Sequence, residues 1–131
     1  MIKHWAIWQR IWADIAASSP HAADWYDTAR LEAEPAGTAA MMFLPSFVPI
    51  AEDLGGNDLF VDTRQGPRRG CVTEFAKGDA DTWRPAWPSV TAMLAELASA
   101  LEQGRAVGRF RPRVEGAHLA WEVVPDPAPP A

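Results

Sequence analysis

Glu52, Asp53, Asn57, Asp58 and Asp62 place five oxygen-bearing side chains within eleven positions, and a divalent cation site is the first chemistry they suggest. A calcium loop needs oxygens at alternating positions around a turn, closed by a bidentate carboxylate at the twelfth. The spacing here does not match. Acidic residues flanking a glycine turn more often bond their own backbone amides, as Asx turns do, so a structural role is expected and no metal. Asp62, Glu74 and Lys77 form a second constellation, the two acids and lysine of metal-dependent nucleases. That chemistry wants the second acid and the lysine two apart on one strand, projecting from the same face. Glu74 and Lys77 are three apart and would face opposite sides.

Cys71 is the only cysteine and cannot form an internal bridge. It sits in an apolar strand pattern next to Val72, which suits a small buried hydrophobe. None of His4, His21 and His118 shows a local link to it that would activate a thiol. Phosphate-cradling glycine loops, nucleophile elbows and the His-Glu-x-x-His pattern are absent from the sequence. The expectation is a protein without catalysis and without a cofactor.

Seventeen acidic against twelve basic side chains leave a net charge of −5. A nucleic-acid binder normally carries a basic face, so a basic protein is the better-suited partner and no nucleic acid is expected. Arg105, Arg109, Arg111 and Arg113 do cluster, on a glycine-punctuated segment; a phosphate or RNA site is the lesser reading, and a solvated loop or partial neutralisation of acidic neighbours is the better one. Charge interrupts the apolar residues of the first ten positions before a secretory segment can form. No later run approaches the roughly 20 apolar residues that span a bilayer, so a cytoplasmic protein without membrane association is expected. Arginine is far commoner than lysine and alanine is abundant, as in GC-rich bacterial genomes.

The elements that must position these groups follow from periodicity. Trp5, Trp8, Ile11, Trp12 and Ile15 fall within about a third of a helical wheel, opposite Lys3, Arg10 and Asp14. This predicts an amphipathic helix ended by Ser18-Ser-Pro20, its indoles packed on a sheet; without a covering element such a stripe becomes an interface. A weaker helix is predicted from about His21 to Glu32, burying Trp25, Ala29 and Leu31. From Phe43 to Phe75 the pattern turns extended. Pro45 and Pro49 mark the first strand as an edge or as bulged. Leu59 and Val61 point to one face, Phe60 and Asp62 to the other. Gly55-Gly-Asn-Asp58 and Gly66-Pro-Arg-Arg-Gly70 supply the reversals of an antiparallel meander. A helix follows from Ser89, with Val90, Met93, Leu94, Leu97 and Leu101 as its apolar stripe and Gly104 as its left-handed cap. Leu119 to Val124 alternates as a final strand, and Pro125 to Ala131 is a proline-rich tail. At 131 residues a single domain over 1–124 is expected.

The ordered series Val48-Pro-Ile-Ala51, Asp53, Gly55-Gly-Asn57, Leu59-Phe-Val-Asp62, Gly70-Cys-Val72 and the helix from Ser89 to Leu101 resembles the SUKH superfamily over about 60 residues. That superfamily holds a yeast regulator of cell-wall assembly and many bacterial toxin-immunity proteins. The resemblance implies an α+β fold: an antiparallel meander of three to four strands with two to three helices packed against it. It implies a binding role, in which an immunity protein occludes the active site of a basic toxin domain of nuclease or deaminase type; the alternative is a regulatory scaffold of the fungal kind. Asp53, Asp58, Asp62, Glu74, Asp79, Asp81 and Trp83 are the candidate partner contacts, although Asp53, Asn57 and Asp62 also suit a role at turn and strand ends. The family's usual N-terminal helical segment and Leu-Pro motif are missing before Trp5, as in a member shortened at its N-terminus. Homodimerisation through Trp5, Trp8 and Trp12 would cover an apolar face so exposed.

Overall fold

The computed structural model describes residues 2–18, 27–52, 56–76, 85–108 and 110–125. The architecture is α+β. Helix α1 (Ile2–Ser18) and the short helix α2 (Thr28–Ala33) precede the strands β1 (Phe47–Glu52), β2 (Asp58–Asp62) and β3 (Val72–Phe75). Helix α3 (Val90–Gln103) and the strands β4 (Phe110–Glu115) and β5 (His118–Val123) complete it. The chain divides into two compact units, Met1–Val90 and Thr91–Ala131.

In the first unit, β1, β2 and β3 form an antiparallel sheet in that order, the meander expected from the two glycine-rich reversals. β1 is an edge strand, and its register with β2 slips between Pro49 and Ala51. Both consequences expected of proline in the first strand are therefore met: Pro49 lies at an edge, beside a bulge. At the second reversal Gly66 and Gly70 take φ of 121° and 90°, angles that carry little penalty only for glycine. Phe75, Phe60 and Phe47 project to one face, where Phe43 and Leu44, which precede β1, are fully buried with them.

Six aromatic rings build this core. Phe47 stacks on Phe60 at 4.1 Å between centroids, and Phe43 meets Phe47, Phe60 and Phe75 edge-on at 5.4–5.7 Å. Trp8 stacks on Phe43 at 6.0 Å and on Trp12 at 6.4 Å, and packs edge-on against Phe75 at 5.2 Å. Offset and edge-to-face pairs of this kind contribute about 0.5–1.5 kcal/mol each beyond the area they bury. Trp8 and Trp12 of α1 thus pack on the core, as the periodicity predicts, whereas Trp5 and Ile11 of the same stripe are exposed.

The part of the expected second helix from His21 to Tyr26 lies outside the described residues, and the described helix α2 spans Thr28–Ala33. Asp27 has extended angles and its carboxylate accepts from the Arg30 amide, so it caps a helix that begins at Thr28. Leu31 is buried as expected, whereas Ala29 is exposed; Trp25 lies outside the described residues.

In the second unit, α3 begins directly after Ser89 and ends at Gln103. Gly104 takes φ 65° and the Arg105 amide donates to the Ala100 carbonyl, which is the six-to-one bond of a Schellman motif. The buried face of α3 differs from the expected stripe. Met93 and Ala100 are buried, and Leu94 and Leu101 are exposed. Seven residues is close to two turns, so Met93 and Ala100 share a face that lies about 100° from Leu94. β4 and β5 pair as a separate two-stranded sheet. The arginine-rich segment is therefore half strand, contrary to the expectation of a loop. Gly116 at φ 62° opens a two-residue turn into Ala117, the glycine-first pattern of a tight hairpin. Pro125 is the last described residue.

Candidate functional site

β2 alternates so that Asp58, Phe60 and Asp62 face the core. Asp58 and Asp62 are each only 1 % exposed, and both expected partner contacts are therefore corrected to interior groups. A carboxylate in such a place must be paired or hydrogen-bonded. Asp62 meets that demand two residues further on. Its carboxylate accepts from the Arg64 amide, from Arg64 Nε at 3.1 and 3.3 Å, from the distal Arg64 nitrogen at 2.8 Å, and from the Gly37 amide at 2.8 Å.

The guanidinium distributes its remaining donors over the chain before β1. One nitrogen donates to the Leu31 carbonyl at 2.9 Å and the other to the Thr38 carbonyl. Its carbon lies 5.1 Å from the centre of the Phe47 ring, a cation–π distance. Arg64 is 3 % exposed. The Asp62–Arg64 fork thus ties the end of β2 to the C-terminal end of α2 and the turn beyond it. Backbone bonds reinforce the tie: Ala36 donates to the Gln65 carbonyl at 2.8 Å and Thr63 to the Ser46 carbonyl at 3.1 Å. Arg64 is the residue that sequence reasoning missed. The signal was the i, i+2 acid–arginine spacing at the end of a strand whose central inward residue, Phe60, is aromatic.

Asp58 is held differently. Trp8 Nε1 donates to its Oδ2 at 3.1 Å, so a carboxylate at the start of β2 anchors the inner side of α1. Trp5 Nε1 donates to the Pro45 carbonyl at 3.3 Å. Of the three tryptophans expected at a dimer surface, Trp8 and Trp12 are half-buried against the core, and Trp5 is 36 % exposed.

Cys71 is fully buried. Loss of water around the sulfur, with the Asp62 charge as a lesser cause, pushes its thiol above the ordinary value of 9.0. It stays protonated at neutral pH and behaves as the small hydrophobe its sequence context suggests. Glu74 projects from the opposite side of the sheet to Asp62: it pairs with Leu59, out of step with the inward row Asp58–Phe75. The two acids cannot share a cation, and among the described residues no three His, Cys, Asp or Glu side chains are grouped to hold one.

On the surface, Glu74 is exposed, as is Glu52, which lies one row away across the sheet. Asp53, Asp79, Asp81, Trp83 and Lys77 lie outside the described residues. Arg111 and Arg113 of β4 face Glu122 at 3.9 and 3.6 Å, Arg113 also meets Glu115 at 3.3 Å, and Arg105 meets Glu96 at 3.9 Å. The basic cluster is therefore neutralised by its acidic neighbours; Arg109 lies outside the described residues. No described helix is long and apolar enough to cross a membrane. Comparison of the chain with known protein families, with curated proteins and with solved structures returns no match.

Proposed function

We propose that the chain is a non-catalytic protein-binding module that neutralises a basic toxin domain, of nuclease or deaminase type, by covering its active cleft. One observation carries this reading. The consecutive antiparallel order β1-β2-β3, with α3 starting directly after Ser89, is the arrangement that the resemblance to the SUKH immunity proteins implies. Glu74 and Glu52 add exposed carboxylates at one end of that sheet, in a chain of net charge −5, and complementary charge speeds encounter with a basic cleft. Four buried polar groups among the described residues are consistent with the same reading. Asp58, Asp62 and Arg64 are committed to internal bonds, and Cys71 is buried and protonated.

The test is co-expression with the product of the neighbouring gene, which this reading expects to be a basic toxin domain. Restored growth and a complex that weakens as salt rises are expected. A toxin that kills at the same rate with and without the chain overturns the reading. A regulatory scaffold is favoured by a different observation: Ile7 and Ile11, one turn apart on α1, are 51 % and 40 % exposed. That reading predicts weak capture of several partners, lost on Ile7→Glu, with no effect on toxin killing.

A further inference from the structure

The β4–β5 hairpin is sorted by face. Its register pairs Phe110 with Val123, Pro112 with Trp121 and Val114 with Leu119 on one side, and Arg111 with Glu122, Arg113 with Ala120 and Glu115 with His118 on the other. Strict alternation places all six of the first set on one face. A face that is apolar throughout belongs in an interior or an interface. Here five of the six stand out in solvent, from 40 % exposed for Trp121 to 74 % for Val114.

Size, charge and the small unit around it indicate what covers this face. An aromatic side chain carries roughly 150–250 Å², so these residues present on the order of 500 Å² of apolar surface, at the upper end for a patch on a lone monomer. Two such faces together reach roughly 1,000 Å², about the size at which a specific interface becomes stable. The hairpin's ionised groups are two arginines and two glutamates, Arg111, Arg113, Glu115 and Glu122, so the hairpin is locally neutral within a chain of −5. Two copies that repel elsewhere can meet here, whereas a basic partner gains no attraction from it. The unit that bears the hairpin, Thr91–Ala131, is 41 residues long, near the length below which a fold usually needs a staple or a partner chain.

We propose that this face is a homodimer interface, two copies packing their hairpins face to face about a two-fold axis near Trp121. The Pro112–Trp121 pair is the middle of the three apolar rows, so a two-fold arrangement puts the largest side chain at the centre, where anchoring residues concentrate. This replaces the expected dimer surface on α1.

Sedimentation equilibrium of the full chain from about 1 to 100 μM tests it. The expected mass is twice the 14.3 kDa of one chain at the upper concentrations. A mass of one chain throughout overturns the proposal. Val114→Glu with Leu119→Glu should weaken association at least 100-fold with the circular dichroism spectrum unchanged, and the milder Trp121→Ser should do so in part. Arg111→Ser, on the opposite face, should leave the mass unchanged. A dimer that survives both apolar-face variants overturns the assignment of the interface. All of these measurements use the chain alone, so their outcome is independent of whether it neutralises a toxin.

Discussion

Asp62 and Arg64 show how little a residue type says before its neighbours are known. A buried ion pair gains little over an apolar pair of the same shape, because both partners leave water; losing one partner is a different matter. Asp62→Asn leaves the guanidinium buried without its counter-charge and should cost about 3–5 kcal/mol, most of the stability of a small domain, read as a fall in the urea midpoint. Arg64→Lys should cost at least about 2 kcal/mol, because one ammonium cannot serve the Asp62 carboxylate and the Leu31 and Thr38 carbonyls at once. Cys71 gives the pH prediction. Its folded value is raised, so the fold binds more protons than the unfolded chain once pH passes the thiol's ordinary 9.0. The contribution is intact below that pH and is lost as pH climbs above it. A series of urea midpoints from pH 7 to 10 should fall at the alkaline end, and Cys71→Ala should flatten that fall. In the sequence, the burial of Cys71 was legible from its apolar context. The burial of Asp58 and Asp62 was not, because an acid in a glycine-rich surround reads as a surface turn until the partner that neutralises it is seen.

At the scale of elements, the glycines separate positions that need left-handed angles from positions that also need space. Gly37 has φ 86°, and a Cβ there would meet Arg68 Cδ at 2.9 Å and Pro85 Cγ at 3.2 Å. Gly70 has φ 90° and nothing within 4 Å of that position. Gly70→Ala should therefore cost only the backbone penalty, about 1–2 kcal/mol. Gly37→Ala should cost more, because the added methyl also disturbs the turn whose amide holds Asp62. Chemical denaturation of the two variants side by side checks the order. Trp8→Phe isolates the contact between α1 and the sheet: it keeps a ring but removes the N–H that reaches Asp58, a bond to a charged group worth about 1.5–3 kcal/mol. The meander, its edge strand and its bulge were legible from Pro49 and the two glycine reversals. β4 was not, because Arg111 and Arg113 dominate its composition. They alternate with Phe110, Pro112 and Val114, and that period-two pattern was the strand signal hidden beneath the charge.

For the whole molecule, the two units bury their apolar residues to very different degrees, and this sets an order of local stability. In the first, the rings of Phe43, Phe47, Phe60 and Phe75 are at most 2 % exposed, and β2 has a neighbour on each side. In the second, only Met93 and Ala100 are buried along α3, and among the described residues each hairpin strand has a single neighbour. Amides with few buried apolar contacts around them open at low free energy, whereas those of a central strand exchange only when the whole unit unfolds. Hydrogen exchange should therefore show β2 as the slowest segment and β4–β5 as markedly faster in dilute solution. If copies pair through the hairpin, mass action links its protection to concentration. The β4–β5 amides should slow as the protein is concentrated from about 1 to 100 μM, while β2 keeps one rate. Equal protection of hairpin and β2 at every concentration would overturn both the ranking of the two units and the pairing of copies through the hairpin.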